Sequence, residues 1–305
     1  MNNLHQVSNV CAEKLSLDQS GNARRLFHGR GHTYPGLEHV VVTYYPPFLH
    51  IALYDEVEQS ALDQLVAVLT DCGHSIEGVV VQHRSGRNTR TEVVLGQVPT
   101  EHLVKEDGLS FWIAPTRNQN TGLFLDMGHV RKALQTSMPG AKVLNLFAYT
   151  CAFSVSALAH GAQRVVNNDM NANMLNIGRR NHQANNQDLR QVKMLAHNVL
   201  KAWKKIRMYG PYDVVIIDPP TNQRGSFVAE KHYAQILKRV PEFAVPGARI
   251  IACLNSPFLN ADFLVNQMSR WAPACKLQGT FAAHPDFPEA YTDRGLKVLD
   301  YRYQP

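Results

Sequence analysis

Apolar residues in this chain follow two rhythms. Over roughly the first 115 residues they form short runs broken by glycine, proline and asparagine. Runs at 40–45 and 49–54, parted by Pro46-Pro47, predict a hairpin. Asp55 with Glu58 makes a capping-box pattern. Leu62, Leu65, Val66 and Leu69 then recur at helical spacing, with Gly73 as the stop. Short strands are predicted at 79–81, 93–95 and Leu109–Ile113, and the polar run Pro115-Thr-Arg-Asn-Gln-Asn-Thr121 is the expected linker.

Beyond that run, strands and helices alternate. A helix at about 126–138 ends on Pro139-Gly140. Strand 143–147 leads to a helix from about 152, and strand 164–168 stops at Asp169 before a helix reaching about 185. Strand 192–195 precedes a helix near 199–207, strand 214–217 a helix near 229–240, and strand 249–254 a helix with Leu264, Met268 and Trp271 on one face. Two last strands fall near 277–283 and 297–302. Such alternation predicts an α/β fold: a doubly wound, mostly parallel, seven-stranded Rossmann-like sheet with an antiparallel edge. The expected domains are a small α+β module at 1–115 and the sheet domain at 116–305.

At 305 residues the chain suits about two domains. Apolar content of 45% and charged content of 18% exclude a disordered chain. No stretch approaches the roughly 20 apolar residues of a membrane span, and the N-terminus lacks the features of a signal peptide. Five cysteines without a C-x-x-C pair point to reduced thiols and the cytoplasm. Fourteen histidines show no metal-ligand spacing, so no metal is expected. The net charge of +6 leans towards a polyanionic partner, although a mildly basic enzyme with a solvated surface has the same balance. The excess sits in Arg24-Arg25…Arg30, Arg84…Arg87…Arg90 and Lys201…Lys204-Lys205…Arg207, none interleaved with aromatics as a stacking platform would be. Monomer and homodimer are both compatible with the sequence.

Asp218-Pro219-Pro220 carries the most chemistry. It ends the apolar run Tyr212–Ile217, and two prolines without N–H donors make a stiff loop whose carbonyls face something other than a ladder. In open α/β sheets ligands bind at that carboxyl edge. The first turn, from Asn145 to Phe153, holds no G-x-G-x-x-G, so a dinucleotide is not expected. Asp169 suits a carboxylate on a ribose diol, or else the cap of the following helix. Asn198 suits an adenine edge or, equally, a helix cap.

These residues resemble those of the S-adenosylmethionine-dependent ribosomal RNA large-subunit methyltransferases, the type that modifies 23S RNA bases. The matching stretches are Asn22-Ala-Arg-Arg-Leu-Phe-His-Gly29 with Pro35-Gly36-Leu37, then Thr121-Gly-Leu-Phe-Leu-Asp126, Val143-Leu-Asn-Leu-Phe-Ala-Tyr-Thr150 and Asp218-Pro-Pro-Thr221. The resemblance implies that Asn145, Phe147, Tyr149 and Thr150 surround the cofactor's methionine end. It puts Asp169 at the ribose, Asn198 at the adenine, Met170 among the cofactor-binding residues, and Thr121, Phe124 and Asp126 in a lid. It turns Asp218, Pro219 and Pro220 towards the transferring methyl group. The family often carries an N-terminal RNA-binding PUA domain, for which this chain is expected to have no room.

The chain departs from the family at four positions. Cys151 stands where glycine is usual, so its side chain is expected to project towards the cofactor's methionine. Met127-Gly128 replaces a polar pair, and Asn198 an aspartate. Cytosine C5 methylation needs a thiolate nucleophile, and the family branch that performs it ends the fifth strand on Ser-Cys-Ser. Asn255 aligns with that cysteine, as in the sister branch that methylates guanine N7. Cys253, two residues earlier, is a residual nucleophile or, more simply, a core residue. His284-Pro-Asp-Phe-Pro-Glu289 resembles a loop near the target base, or else a turn with solvated charges. The sequence thus points to a cytoplasmic methyltransferase acting on an RNA base, guanine N7 before cytosine C5. The alternatives are a methyltransferase of protein or small molecules, and an RNA-binding protein that keeps the fold without activity.

Overall fold

The computed structural model describes residues 4–18, 20–71, 75–85, 89–117, 119–220, 222–223 and 227–305. Gly73, Cys72, Arg87 and Thr221 lie outside the described residues. The chain forms two compact units, one of residues 1–128 with His284–Tyr291 and one of His129–Ala283 with Thr292–Pro305.

The first unit is a five-stranded sheet with two helices on one face. Helix α1 (Leu4–Ser16) and helix α2 (Gln59–Thr70) flank strands β1 (Arg24–His28), β2 (Val40–Tyr45), β3 (Phe48–Leu53), β4 (Gly78–His83) and β5 (Arg90–Gly96), paired in that order. Only β3 and β4 run parallel, because α2 crosses over between them. Val7, Cys11 and Leu15 from α1 and Leu62, Leu65 and Leu69 from α2 share one core with Phe27, Val42, Leu49, Ile51 and Val79. The opposite face mixes apolar residues such as Val41, Ala52 and Val80 with buried polar ones: Thr43, His50 and Gln82 are at most 4% exposed. A hairpin of β6 (His102–Glu106) and β7 (Leu109–Ile113) follows.

Two expectations fail in this unit. Helix α2 starts at Gln59, and neither Asp55 nor Glu58 caps it; the Asp55 carboxylate accepts from the Glu56 N–H instead. The expected linker is held in place: Thr121 accepts from the Ala114 N–H at 2.6 Å, and the Arg84 guanidinium donates to the Gln119 carbonyl. Helix α1 was not predicted, although Leu4, Val7, Cys11 and Leu15 fall at helical spacing.

The second unit carries the seven strands that alternation predicted. After α3 (Gly128–Leu134) come β8 (Lys142–Leu146), α4 (Ala152–Ala159), β9 (Arg164–Asp169), α5 (Ala172–Ala184), β10 (Val192–Ala196), α6 (Trp203–Tyr209) and β11 (Tyr212–Ile217). A two-residue pair, β12 (Asn222–Gln223) and β13 (Phe227–Val228), precedes α7 (Ala229–Leu237), α8 (Val240–Phe243), β14 (Ala244–Asn255), α9 (Ala261–Trp271), β15 (Cys275–Phe281) and β16 (Leu296–Tyr303). The sheet order is β10-β9-β8-β11-β14-β16-β15, parallel except for the antiparallel pairs β14–β16 and β16–β15. Strand β11 is apolar without a break from Val214 to Ile217, and β8 is apolar but for Lys142 and the buried Asn145, as suits strands covered by helices on both faces. The chain winds from β8 out to β10, then crosses back to β11, so the topological switch point lies between β8 and β11. No helix among the described residues is long and apolar enough to cross a membrane.

Candidate active site

Register lines up the expected site residues along one edge. Leu146 pairs with Asn168 and with Ile217, Ile217 with Ala252, and Asp169 with Ala196. Extending each ladder by one residue gives a row at the carboxyl edge: Ala196, Asp169, Phe147, Asp218, Cys253. Asp169 and Asp218 therefore stand two strands apart, about 10 Å at ordinary strand spacing, on either side of Phe147 at the switch point.

The loop after β8 is bent by three non-glycine residues with left-handed backbone, Phe147 (φ 59°), Tyr149 (φ 49°) and Cys151 (φ 66°). Such conformations cost of order 1 kcal/mol or more each and persist where the surroundings over-determine them. Here the Ala148 N–H donates to the Asn168 carbonyl at 3.0 Å, the Tyr149 N–H to Asp169 Oδ2 at 2.9 Å, and Asn181 to the Thr150 carbonyl at 2.9 Å. The loop is thus folded onto the end of β9, leaving Phe147 and Tyr149 partly exposed and Thr150 buried. The Phe147 ring packs edge-on against Phe227 at 4.9 Å.

Asp169 is not the helix cap. Asn171 caps α5 by accepting from the Asn173 and Met174 N–H groups, while Asp169 Oδ1 accepts from the Asn171 N–H at 2.8 Å. Each Asp169 oxygen thereby receives one backbone donor and keeps lone-pair capacity towards the edge, which fits a ribose diol. Met170 beside it is 47% exposed. Asn198 does cap: its oxygen accepts from the Leu200 N–H at 2.9 Å.

Asn145 lies beneath this edge, 2% exposed, at one end of a buried polar chain that sequence reasoning missed. Its amide donates to Asn167 Oδ1 (3.0 Å), Asn167 donates to Ser154 Oγ (2.8 Å), and Ser154 meets His182 Nε2 at 2.8 Å. His182 Nδ1 then reaches Gln187 Oε1 at 2.6 Å, and the Gln187 amide donates to the Val155 carbonyl. The polarity closes without conflict: a neutral His182 donates from Nδ1 and accepts the Ser154 hydroxyl at Nε2. Burial pushes the His182 pKa down to about 4, which keeps it neutral. Polar residues at the ends of apolar strands signalled such a network, but their partners come from other elements.

Cys151 corrects an expectation. Its side chain is fully buried among Ala148, Leu175 and Met194, with Sγ 3.9 Å from Met194 Sδ, so it packs beneath α5 instead of projecting towards a cofactor. Burial, with the Asp169 charge nearby, holds this thiol far above its ordinary range. Met127 is also core, 3% exposed, and a side chain at Gly128 would meet Glu106 Oε1 at 3.1 Å.

At the other side of the switch point Asp218 and Pro220 are half-buried and Pro219 buried. The buried Tyr233 hydroxyl ties the ends of β11 and β14 together, 3.0 Å from the Cys253 carbonyl and 3.4 Å from that of Ile217. Asn255 is exposed at the end of β14, whereas Cys253 is 0% exposed and belongs to the core. All four cysteines among the described residues are buried.

The remaining expected residues belong to the first unit. The Thr121 hydroxyl bonds Tyr45 at 2.7 Å, Phe124 is 44% exposed, and Asp126 lies in a 3-10 turn, Leu125–Met127. The segment 284–289 is no solvated turn: Asp286 is 8% exposed and ion-paired with Arg24 (2.9 Å) and Lys14 (3.1 Å). Arg25 stacks over Phe287 at 4.7 Å, while Arg30 and Arg84 lie over Tyr54 at 4.4 and 5.3 Å. These cations do meet aromatics, but from distant parts of the sequence. A side chain at Gly29 would strike the Leu37 carbonyl at 1.9 Å, so the two N-terminal matching stretches pack on each other.

A family model described as S-adenosylmethionine-dependent methyltransferase matches residues 24–302. Ribosomal RNA large subunit methyltransferase I of Aeromonas hydrophila is 32% identical over 193 residues, 61% of this chain and 49% of that protein. Ribosomal RNA large subunit methyltransferase K/L of a Psychrobacter species is 34% identical over 145 residues, 45% of this chain and 18% of that protein. The chain spans about half the length, or less, of these curated relatives. A solved structure of a protein assigned as a methyltransferase, complexed with SAH, shares the fold with a TM-score of 0.86 at 24% identity, covering 98% of this chain and 80% of that one. The chain therefore belongs to the S-adenosylmethionine-dependent methyltransferases, with S-adenosylmethionine as its cofactor.

Proposed function

We propose that this protein methylates a base of ribosomal RNA in the cytoplasm, at guanine N7 and not at cytosine C5. The observation that carries this reading is the edge row, with two carboxylates two strands apart across the switch point. When bound, S-adenosylmethionine supplies a methyl group on a positively charged sulfur. Asp169 would hold the ribose, its oxygens already oriented by the Tyr149 and Asn171 N–H groups. Met170 would cover the adenine, and Asn198, its oxygen spent on the cap, would donate its amide to the ring. Phe147 and Tyr149 would contact the methionine end, with Asn145 and Thr150 supporting the loop from beneath.

Asp218, Pro219, Pro220 and Asn255 would position the base. Transfer from a sulfonium is an in-line displacement, for which a protein supplies mainly alignment and a charge-complementary surface. Guanine N7 has its own lone pair and needs no protein nucleophile. Cytosine C5 needs a thiolate at the edge, and the buried Cys253 beside an exposed Asn255 speaks against one. The names of the relatives and the net charge of +6 support RNA as substrate, with the module at 1–115 adding contacts.

The test supplies purified protein and methyl-labelled cofactor with total RNA or total protein, followed by mass spectrometry of digested nucleosides. Label in 7-methylguanosine is the expected result. Label in 5-methylcytidine overturns the choice of base, and label in protein alone overturns the RNA substrate.

A further inference from the structure

The loop that leaves β14 at Asn255 presents a phenylalanine to solvent. Phe258 is 91% exposed, more than Leu17 (74%) or any other large apolar side chain among the described residues. Single exposed apolar residues are common on protein surfaces, so exposure alone decides nothing. Position and restraint decide. Phe258 is three residues beyond Asn255, which keeps its Cα within about 11 Å of that residue, on the strand next to the one that ends at Asp218.

The loop beneath the ring is fixed. Ser256 is 1% exposed, and its hydroxyl accepts the Phe258 N–H at 3.2 Å. The Ser256 carbonyl accepts from Lys297 Nζ, a 6% exposed ammonium that also donates to the Asp293 carbonyl at 3.0 Å. Pro257 locks its own φ, and Asn260 caps α9 through the Phe263 N–H at 3.3 Å. A buried charge spent on loop carbonyls holds an apolar ring out in water, next to the edge where the base would react.

We infer that Phe258 is a substrate-contact residue that stacks on an unpaired base of the RNA. Every nucleobase offers a π-face, and aromatic side chains are the usual platform for bases outside a helix. The inference rests on RNA being the substrate and names one contact that this reading leaves open. The ring acts on substrate capture, not on the cofactor or on the fold.

The test compares wild type with F258A, F258L, F258Y and F258W in methyl transfer to total RNA, with cofactor affinity by calorimetry and melting temperature measured alongside. F258A and F258L are expected to lose about five- to one-hundred-fold in kcat/KM for RNA, mainly through KM. F258Y and F258W are expected to stay within about threefold, and cofactor Kd and melting temperature to hold in all four. If wild type modifies RNA and F258A or F258L matches it, the stacking role is overturned while the RNA reading stands. Loss of cofactor affinity in F258A likewise overturns it. If wild type modifies no RNA, the substrate reading fails and the stacking role falls with it.

Discussion

The sulfur of Cys151 fills the space that a side chain at Gly178 would need. A methyl group on Gly178 would lie 2.4 Å from Cys151 Sγ and 2.9 Å from its Cβ, too close for either to remain. Position 151 has a left-handed backbone (φ 66°), where glycine is the least strained residue. The two sites therefore exchange bulk: the chain carries the side chain on the loop and leaves the helix bare.

Gly178→Ala alone should destabilise the protein by about 1 to 3 kcal/mol through overpacking. Cys151→Gly with Gly178→Ala should recover at least half of that, a favourable coupling read from a double-mutant cycle in denaturant. Additive effects would show that the contact is not tight. Because the sulfur turns beneath α5, Cys151→Gly alone should change cofactor affinity less than threefold by calorimetry. A large gain would restore the expectation that this side chain projects towards the cofactor's methionine.

That pairing also shows where sequence reasoning stops. The strands from β8 to β16 were legible because apolar runs stop on punctuation such as Asp169 and Asp218, and Pro139-Gly140 parts β8 from the helix before it. The row of acids followed from those ends. The direction of the Cys151 side chain was not legible, since it depends on one dihedral angle and on a glycine in another helix. Nor was the full chain from Asn145 to His182, whose members come from β8, β9, α4 and α5 and meet only in the fold. For Asp286 the sequence left two readings open, a loop near the base or a solvated turn, and the second fails because its partners Arg24 and Lys14 are remote in sequence.

His182 should make stability depend on pH. An unfolded histidine titrates near 6.5, whereas burial holds this one at about 4. Above pH 6.5 both states are neutral and His182 adds no slope. As the pH falls from 6.5 towards 4, the unfolded chain takes a proton that the native state refuses, so stability declines. At about 1.4 kcal/mol per pKa unit the loss approaches about 3 kcal/mol. His50, held at about 3 by burial, extends the decline to lower pH. Urea titrations at several pH values should show the slope, and His182→Gln should flatten it between 6.5 and 4. An unchanged slope would assign the effect elsewhere.

Asp286→Asn should destabilise the first unit by on the order of 3 kcal/mol, because Arg24 and Lys14 lose their partner at a largely buried site. Burial alone would raise the Asp286 pKa, but the Arg24 hydrogen bond and the nearby Lys14 charge hold it below the usual carboxylate value. Its contribution is therefore present above about pH 4 and lost as the pH falls below it. Proteolysis of native protein at neutral pH, followed by mapping of the cuts, measures the effect. Cuts in Asp286→Asn should concentrate in residues 1–128 and 284–291, and an unchanged digestion pattern would mean that the ion pairs contribute nothing.

The two edge acids should separate by what they disturb. Asp169 receives the Tyr149 and Asn171 N–H groups, so Asp169→Ala both unpins the loop and removes the acceptor proposed for a ribose. Losing a charge-assisted hydrogen bond costs about 1.5 to 3 kcal/mol, so cofactor Kd should rise about ten- to one-hundred-fold. Asp218 stands across Phe147, on the side of the proline corner, where the base rather than the ribose would lie. Asp218→Asn should change cofactor Kd less than threefold while slowing single-turnover transfer tenfold or more. Calorimetry gives the first quantity and rapid-quench transfer to RNA the second. Equal losses of affinity in both variants would mean that the cofactor spans both acids alike, and the division of the edge into a ribose side and a base side would have to be abandoned.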